Sequence, residues 1–167
     1  MTVASSTSLW AGGALMEEAY YLYSLLKESF LLLDFGDRQL FEQFGLTVPR
    51  YYAMYHIATS PGTSPSRLSD LMFCDKSNIT RLLQGLEADG YIERRSHEYD
   101  GRVQRIYLTE KGESLQRRIA DIHDATIEHR LCGLAHNEKS RLTDSLEQLN
   151  RSLSDDLQQS GLTVQPI

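Results

Sequence analysis

The stretch from Ser64 to Gly112 constrains this chain most, because start and stop signals follow one another there with almost no connecting sequence. Ser64-Pro65 opens a helix: the Ser oxygen can accept an orphan amide hydrogen, and proline at the first helical position has none to satisfy. Leu68, Leu71 and Met72 give that short helix its buried side. A second start follows at Asp75, after which Ile79, Leu82, Leu83 and Leu86 recur at i, i+3, i+4 and i+7 until Asp89-Gly90 closes the helix. Tyr91 to Ser96 and Val103 to Leu108 have strand composition, His97 to Arg102 form the turn between them, and Thr109 can cap a further helix.

Two short helices, a hairpin and a new helix start make a winged helix-turn-helix, a unit that offers one helix to a DNA major groove and a hairpin to the neighbouring backbone or minor groove. On the second helix the apolar residues share one face. Ser77, Arg81, Gln84 and Ala88 lie opposite, with Asn78 and Thr80 at the flanks. Arg reads guanine edges, Asn and Gln read adenine, and Ser or Thr bond base edges or phosphate. An ordinary solvated face has the same composition. The hairpin favours DNA, because Arg94, Arg95, Arg102 and Arg105 surround a turn, where basic side chains suit phosphate or a narrow minor groove. The same arginines can also pair with Glu93, Glu98 and Asp100.

The run Ser66-Arg67-Leu68-Ser69-Asp70-Leu71, then Asp75-Lys76-Ser77-Asn78-Ile79-Thr80-Arg81-Leu82-Leu83, resembles the MarR family of bacterial transcriptional regulators. Leu86 to Arg94 and Asp100-Gly101-Arg102 before Leu108-Thr109-Glu110-Lys111-Gly112 continue the likeness in order and spacing. The resemblance implies a mainly α chain with a small β-hairpin wing, flanked by N- and C-terminal dimerisation helices that interlock in a homodimer on a pseudo-palindromic operator. It places Ser77, Asn78, Thr80, Arg81 and Gln84 on the DNA-reading helix and Arg102 on the wing tip, with Asp100 bracing it; Ser66, Lys76, Arg94 and Arg95 are further candidate contacts to double-stranded DNA. Many relatives carry a second basic residue where Gly101 stands here, so Arg102 carries the wing contact.

The predicted domains are a flexible arm over 1–14, dimerisation helices over 15–45 and 113–158, the DNA-binding unit over 46–112, and a loose tail over 159–167. The arm is rich in Ser, Thr, Ala and Gly. Leu22, Leu25, Leu26, Ser29, Phe30 and Leu33 recur at helical spacing in the first long helix, which Gly36 can kink or divide. Tyr52, Tyr55, His56 and Thr59 share one side of a second helix entered at Thr47-Val48-Pro49. A last helix over about 137–158 carries Leu142, Leu146, Leu149 and Leu153.

The net charge of −6 counts against indiscriminate adhesion to nucleic acid. Between Gly62 and Arg105, however, Arg67, Lys76, Arg81, Arg94, Arg95, Arg102 and Arg105 balance Asp70, Asp75, Glu87, Asp89, Glu93, Glu98 and Asp100. Binding by so neutral a segment depends on where each arginine stands. Two cysteines, Cys74 and Cys132, are too sparse for a disulfide framework and suit a reducing cytoplasm. The apolar runs fall short of the ~18 residues of a membrane span. The histidines lack the i, i+4 pairing of a metal site, no cofactor signature is present, and neither a phosphate loop nor a nucleophile elbow suggests an enzyme.

Regulators resembling this chain respond to small aromatic or anionic effectors bound between dimerisation helices and reading lobe. Tyr23, Tyr51, Tyr52, Tyr55 and His56 offer rings with polar tips for such a pocket, or simply pack the junction. Cys74, just before the reading helix, is a candidate redox switch because the helix dipole favours a thiolate; Asp75 opposes that, and an inert small apolar residue is the alternative. The rival to a DNA reader is a winged-helix module for protein association, and salt dependence separates the two.

Overall fold

A computed structural model describes residues 8–96 and 104–160, with side chains from residue 16 onward. The element order is α1 (Ser8–Glu42), α2 (Val48–Thr59), α3 (Pro65–Leu71), α4 (Lys76–Ala88), β1 (Ile92–Ser96), β2 (Gln104–Leu108), α5 (Glu110–Arg130) and α6 (His136–Gln159). This is the mainly α, winged helix-turn-helix architecture that the sequence predicts.

Local chemistry sets the boundaries. Ser64 Oγ accepts from the Arg67 amide at 3.2 Å, Asp75 Oδ1 from the Asn78 amide at 2.9 Å, and Thr109 Oγ1 from the Gly112 amide at 3.1 Å. Gly90, at φ 73°, closes α4: its amide donates to the Glu87 carbonyl and the Tyr91 amide to the Leu86 carbonyl, both at 2.9 Å. That double bond pattern needs a left-handed residue after the helix, which glycine supplies without steric penalty.

The core lies inside the reading lobe. Leu68, Ile79, Leu83 and Leu86 of the helix pair meet Ala53, Met54 and Ile57 of α2, Ile92 and Ile106 of the hairpin, and Ile119 of α5. β1 and β2 pair antiparallel from Ile92 opposite Leu108 to Ser96 opposite Gln104. The hairpin is also tied to the turn before α3, where Thr63 bridges Ile106 and Arg105 donates to the Gly62 carbonyl at 3.0 Å. The wing base is thus fixed at two places.

Two expectations need correction. The first helix starts at Ser8, inside the stretch read as a flexible arm; nucleating a helix is costly but adding residues to an established one is not, so α1 propagates beyond its periodic segment. Gly36 does not divide it: the helix runs unbroken, and the Arg130 guanidinium occupies the space a side chain there would need. On α2 the buried face is Tyr51, Ala53, Met54 and Ile57, while Tyr55 and Thr59 are exposed. A helix packed against α1, the helix pair, the hairpin and α5 buries more of its girth than one stripe.

Outside the lobe, apolar side chains remain open. Met16, Tyr20, Tyr21, Leu22, Phe30, Leu31, Leu32 and Phe35 of α1 are each more than half exposed, and α6 buries no residue. Leu142, Leu146 and Leu153 sit on one side of α6 at helical spacing, all exposed. Among the described residues no helix is long and apolar enough to cross a membrane.

Candidate nucleic-acid interface

The α4 surface opposite its buried Ile79, Leu83 and Leu86 is open to solvent over Lys76, Ser77, Asn78, Thr80, Arg81 and Gln84. A hydrogen-bonded chain organises its first turn. Asp75 Oδ1 accepts from Ser77 Oγ at 2.6 Å, Asp75 Oδ2 accepts from Asn78 Nδ2 at 2.6 Å, and Asn78 Oδ1 accepts from Arg81 Nη2. The Ser77 hydroxyl and the Asn78 amide hold the Asp75 carboxyl below the usual carboxylate range. Thr80 donates to the Lys76 carbonyl at 2.7 Å, which leaves its hydroxyl oxygen as an acceptor. The helix therefore presents Asn78 and Arg81 as a linked pair, each with donors to spare.

Ser66 is exposed on α3. In the hairpin the arginines divide. Arg94 is partly buried, its Nε 3.0 Å from Glu87 Oε2, so it braces β1 against α4. Arg95 is exposed, ion-paired to Glu93 and stacked 4.4 Å from the Tyr107 ring centroid. Arg102, expected at the wing tip, and Asp100, expected to brace it, lie outside the described residues.

Several positioning residues carry no signal in the sequence. Arg50 of α2 donates to the Gly85 carbonyl at 3.2 Å and to Asp89, and so grips the C-terminal turn of α4. Lys111 donates to the Asp89 carbonyl at 2.7 Å. Phe73, in the tight turn between α3 and α4, has φ 48° and is 58% exposed, a backbone state uncommon for a bulky side chain. Cys74 follows it, half-buried at the edge of the core, with its carbonyl accepting from Ser69 Oγ.

The five aromatic effector candidates do not share one cavity. Tyr51 is 2% exposed and stacks on Phe41 with centroids 4.0 Å apart; burial pushes its hydroxyl up to about 12. Tyr23 lies far along α1 with Tyr20, Lys27 and Leu31. Tyr55 and His56 contact each other, and burial lowers the His56 imidazole below its usual value.

Tyr52 alone lines a crevice of about 480 Å³ between α1, α2 and α5, with Phe30, Leu33, Val48, Ile127 and Leu131 as apolar walls. At its base Asp37, 7% exposed, accepts from Arg130 Nη1 at 2.5 Å and from the Tyr52 hydroxyl at 3.0 Å, and lies 3.3 Å from His123 Nε2. Burial first, and then the Asp37 charge, raises the Tyr52 hydroxyl well above the ordinary tyrosine range. Asp37 stands 86 residues from His123 and 93 from Arg130 in sequence, beyond the reach of any local pattern.

Comparison with known proteins agrees with this geometry. Residues 44–103 match the MarR family model. The HTH-type transcriptional regulator BilQ of Clostridium symbiosum is 28% identical over 138 residues, 82% of this chain and 94% of that protein. The transcriptional repressor MprA of Escherichia coli is 33% identical over 104 residues, 60% of this chain and 57% of its own length. Among solved structures, the transcriptional regulator SlyA superposes with a TM-score of 0.73 at 26% identity, covering 80% of this chain and 96% of that one. Streptococcus pneumoniae FabT, solved in complex with DNA, gives 0.65 at 25% identity over 84% and 98%. The named relatives are transcriptional regulators, not enzymes.

Proposed function

We propose that this chain is a MarR-family winged-helix regulator that binds DNA and acts as a homodimeric, effector-responsive repressor on a pseudo-palindromic operator. The observation that carries the reading is the exposed, pre-linked surface of α4, where Asp75, Asn78 and Arg81 hold one another in register beside a wing base braced by Arg94. Arg81 and Asn78 can address base edges, and Lys76, Arg95 and Arg102 the backbone. FabT, similar over most of the chain, was solved on DNA.

The dimer follows from the open apolar surface of α1 and α6, which one copy leaves in water and a second copy can cover. The effector site is the crevice at Tyr52. An anionic aromatic molecule there competes with Asp37 for Arg130 while its ring packs on Phe30 and Ile127, loosening the tie between α1 and α5.

A gel shift on upstream intergenic DNA tests the reading surface. Arg81→Ala and Arg102→Ala should each weaken binding roughly 5- to 150-fold, the ~1–3 kcal/mol of a specific arginine contact, and wild-type affinity should fall steeply with salt. Unchanged, salt-insensitive behaviour of both variants refutes the surface and favours a protein partner. Sedimentation of the free protein should give twice the chain mass.

A further inference from the structure

Among the described residues four hold a left-handed backbone, and three of them, Gly45, Gly62 and Gly90, are glycines. The fourth is Phe73, at φ 48° in the turn between α3 and α4. Paired bonds close α3 there: the Phe73 amide donates to the Asp70 carbonyl at 3.3 Å and the Cys74 amide to the Ser69 carbonyl at 3.1 Å. Glycine is the favoured left-handed residue of this helix ending, since a Cβ meets a steric penalty. Met72 and Cys74, on either side, pack against the core, whereas Phe73 is 58% exposed. A strained backbone thus holds a large ring in water, an outlier of the kind that marks work done outside the fold.

We propose that Phe73 is a DNA contact, its ring packing on the C5-methyl of a thymine at the major-groove edge of each half-site. This role rests on the DNA-reader assignment and adds an apolar member to an otherwise polar surface. Phe73 stands two Cα steps, at most about 7.6 Å, before Asp75, the cap of α4. From there the exposed surface runs on through Lys76, Ser77 and Asn78 to Thr80 and Arg81. Between Pro65 and Ala88 it is the one exposed large apolar side chain, and it belongs to neither α1 nor α6, whose apolar surfaces suit a second copy.

DNA offers a matching group. The thymine methyl is the apolar feature among the base edges of the major groove, and phenylalanine is one of the side chains that meet it. Charge gives a second reason. Basic and acidic residues balance between Gly62 and Arg105, and Arg94 and Arg95 are engaged by Glu87 and Glu93, so attraction to phosphate is limited. An apolar contact adds affinity without counterion release, and its dependence on one methyl selects thymine at that position.

An operator selected from a random duplex pool by the full chain provides the DNA. Phe73→Gly and Phe73→Asn replace the ring by residues that accept the left-handed state, and both should melt at or above the wild-type temperature. Both should weaken operator binding about 4- to 12-fold per lobe engaged, the worth of covering half a phenylalanine, with an unchanged salt slope. The asparagine variant separates loss of the ring from a loosened turn, which glycine alone would cause. Deoxyuridine in place of thymidine, one position at a time, removes single methyls. It should weaken wild-type binding about fourfold at one position in each half-site and have no effect there in Phe73→Asn. A lower melting temperature in both variants places the ring in the fold and overturns the contact. So does wild-type operator affinity in either variant, or the lack of any thymine whose methyl matters to wild type alone. Wild type that selects no sequence removes the regulator reading as well, whereas selection by wild type with equal binding by the variants removes only the Phe73 contact.

Discussion

Replacing Asp37 by alanine should be the most damaging single change outside the apolar core, because three partners depend on one carboxylate. Arg130 donates to it at 2.5 Å and Tyr52 at 3.0 Å, and His123 Nε2 stands 3.3 Å away. Breaking a buried ion pair from one side costs about 3–5 kcal/mol, since the remaining charge stays desolvated. Arg130 is 22% exposed and can recover some hydration, which sets the expectation at the lower end, near 3 kcal/mol, with the stranded Tyr52 hydroxyl included. Urea unfolding at fixed protein concentration measures it, because the midpoint of the proposed dimer would depend on concentration. At roughly 2–4 °C per kcal/mol for a chain of this size, the melting temperature should fall about 6–12 °C.

Asp37→Asn retains an acceptor for Tyr52 but not the charge, and should fall between wild type and alanine. A cycle with Arg130→Met should show strong coupling, because each single change removes the same pair. The Tyr52 hydroxyl, raised by burial first and by Asp37 next, should ionise at lower pH in Asp37→Ala, visible in the tyrosinate absorbance. A stability loss below about 1 kcal/mol, or fully additive variants, would refute the reasoning that Asp37, with Tyr52, His123 and Arg130, ties α1 to α2 and α5.

Gly112→Ala should lose about 1–3 kcal/mol, since an added Cβ would run into the Tyr91 carbonyl, a rigid backbone atom; thermal unfolding checks it, and an unchanged midpoint contradicts the packing at the start of α5. Arg50→Met should leave the fold near wild type, within about 1 kcal/mol, yet weaken operator binding more than stability, because Arg50 grips the Gly85 carbonyl and Asp89 at the end of α4. For His56, burial lowers the imidazole below its unfolded value of 6.5, so its contribution is complete above that pH and is lost as pH falls through the folded value. Stability should therefore decline below pH 6.5, and His56→Gln should flatten that slope in unfolding measured from pH 7.5 to 5. Asp75 has the same sign at lower pH: its cap is complete above 3.8 and fails as pH drops through the depressed folded value, which helical circular dichroism of Asp75→Asn against wild type can follow.

The reading unit was legible in the sequence because its determinants are local. Ser64, Asp75 and Thr109 bond amides three residues on, Gly90 closes α4 through bonds between residues three and five positions apart, and the Ile79 to Leu86 periodicity fits the helix that forms. Hydrogen bonds of that reach are written in consecutive residues. Which side of α2 faces inward was not, because four neighbours converge on it and Tyr51, not Tyr55, meets Phe41. Asp37, His123 and Arg130 read as ordinary helix residues until the chain brings α1 and α5 together. The sequence alone thus determined the order of elements, their caps and the polar face of α4. Tertiary structure decided which distant charges meet, where cavities remain, and which arginines of the hairpin are spent on holding it in place, because desolvation and Coulomb energy depend on distances in space that no window of neighbouring residues contains.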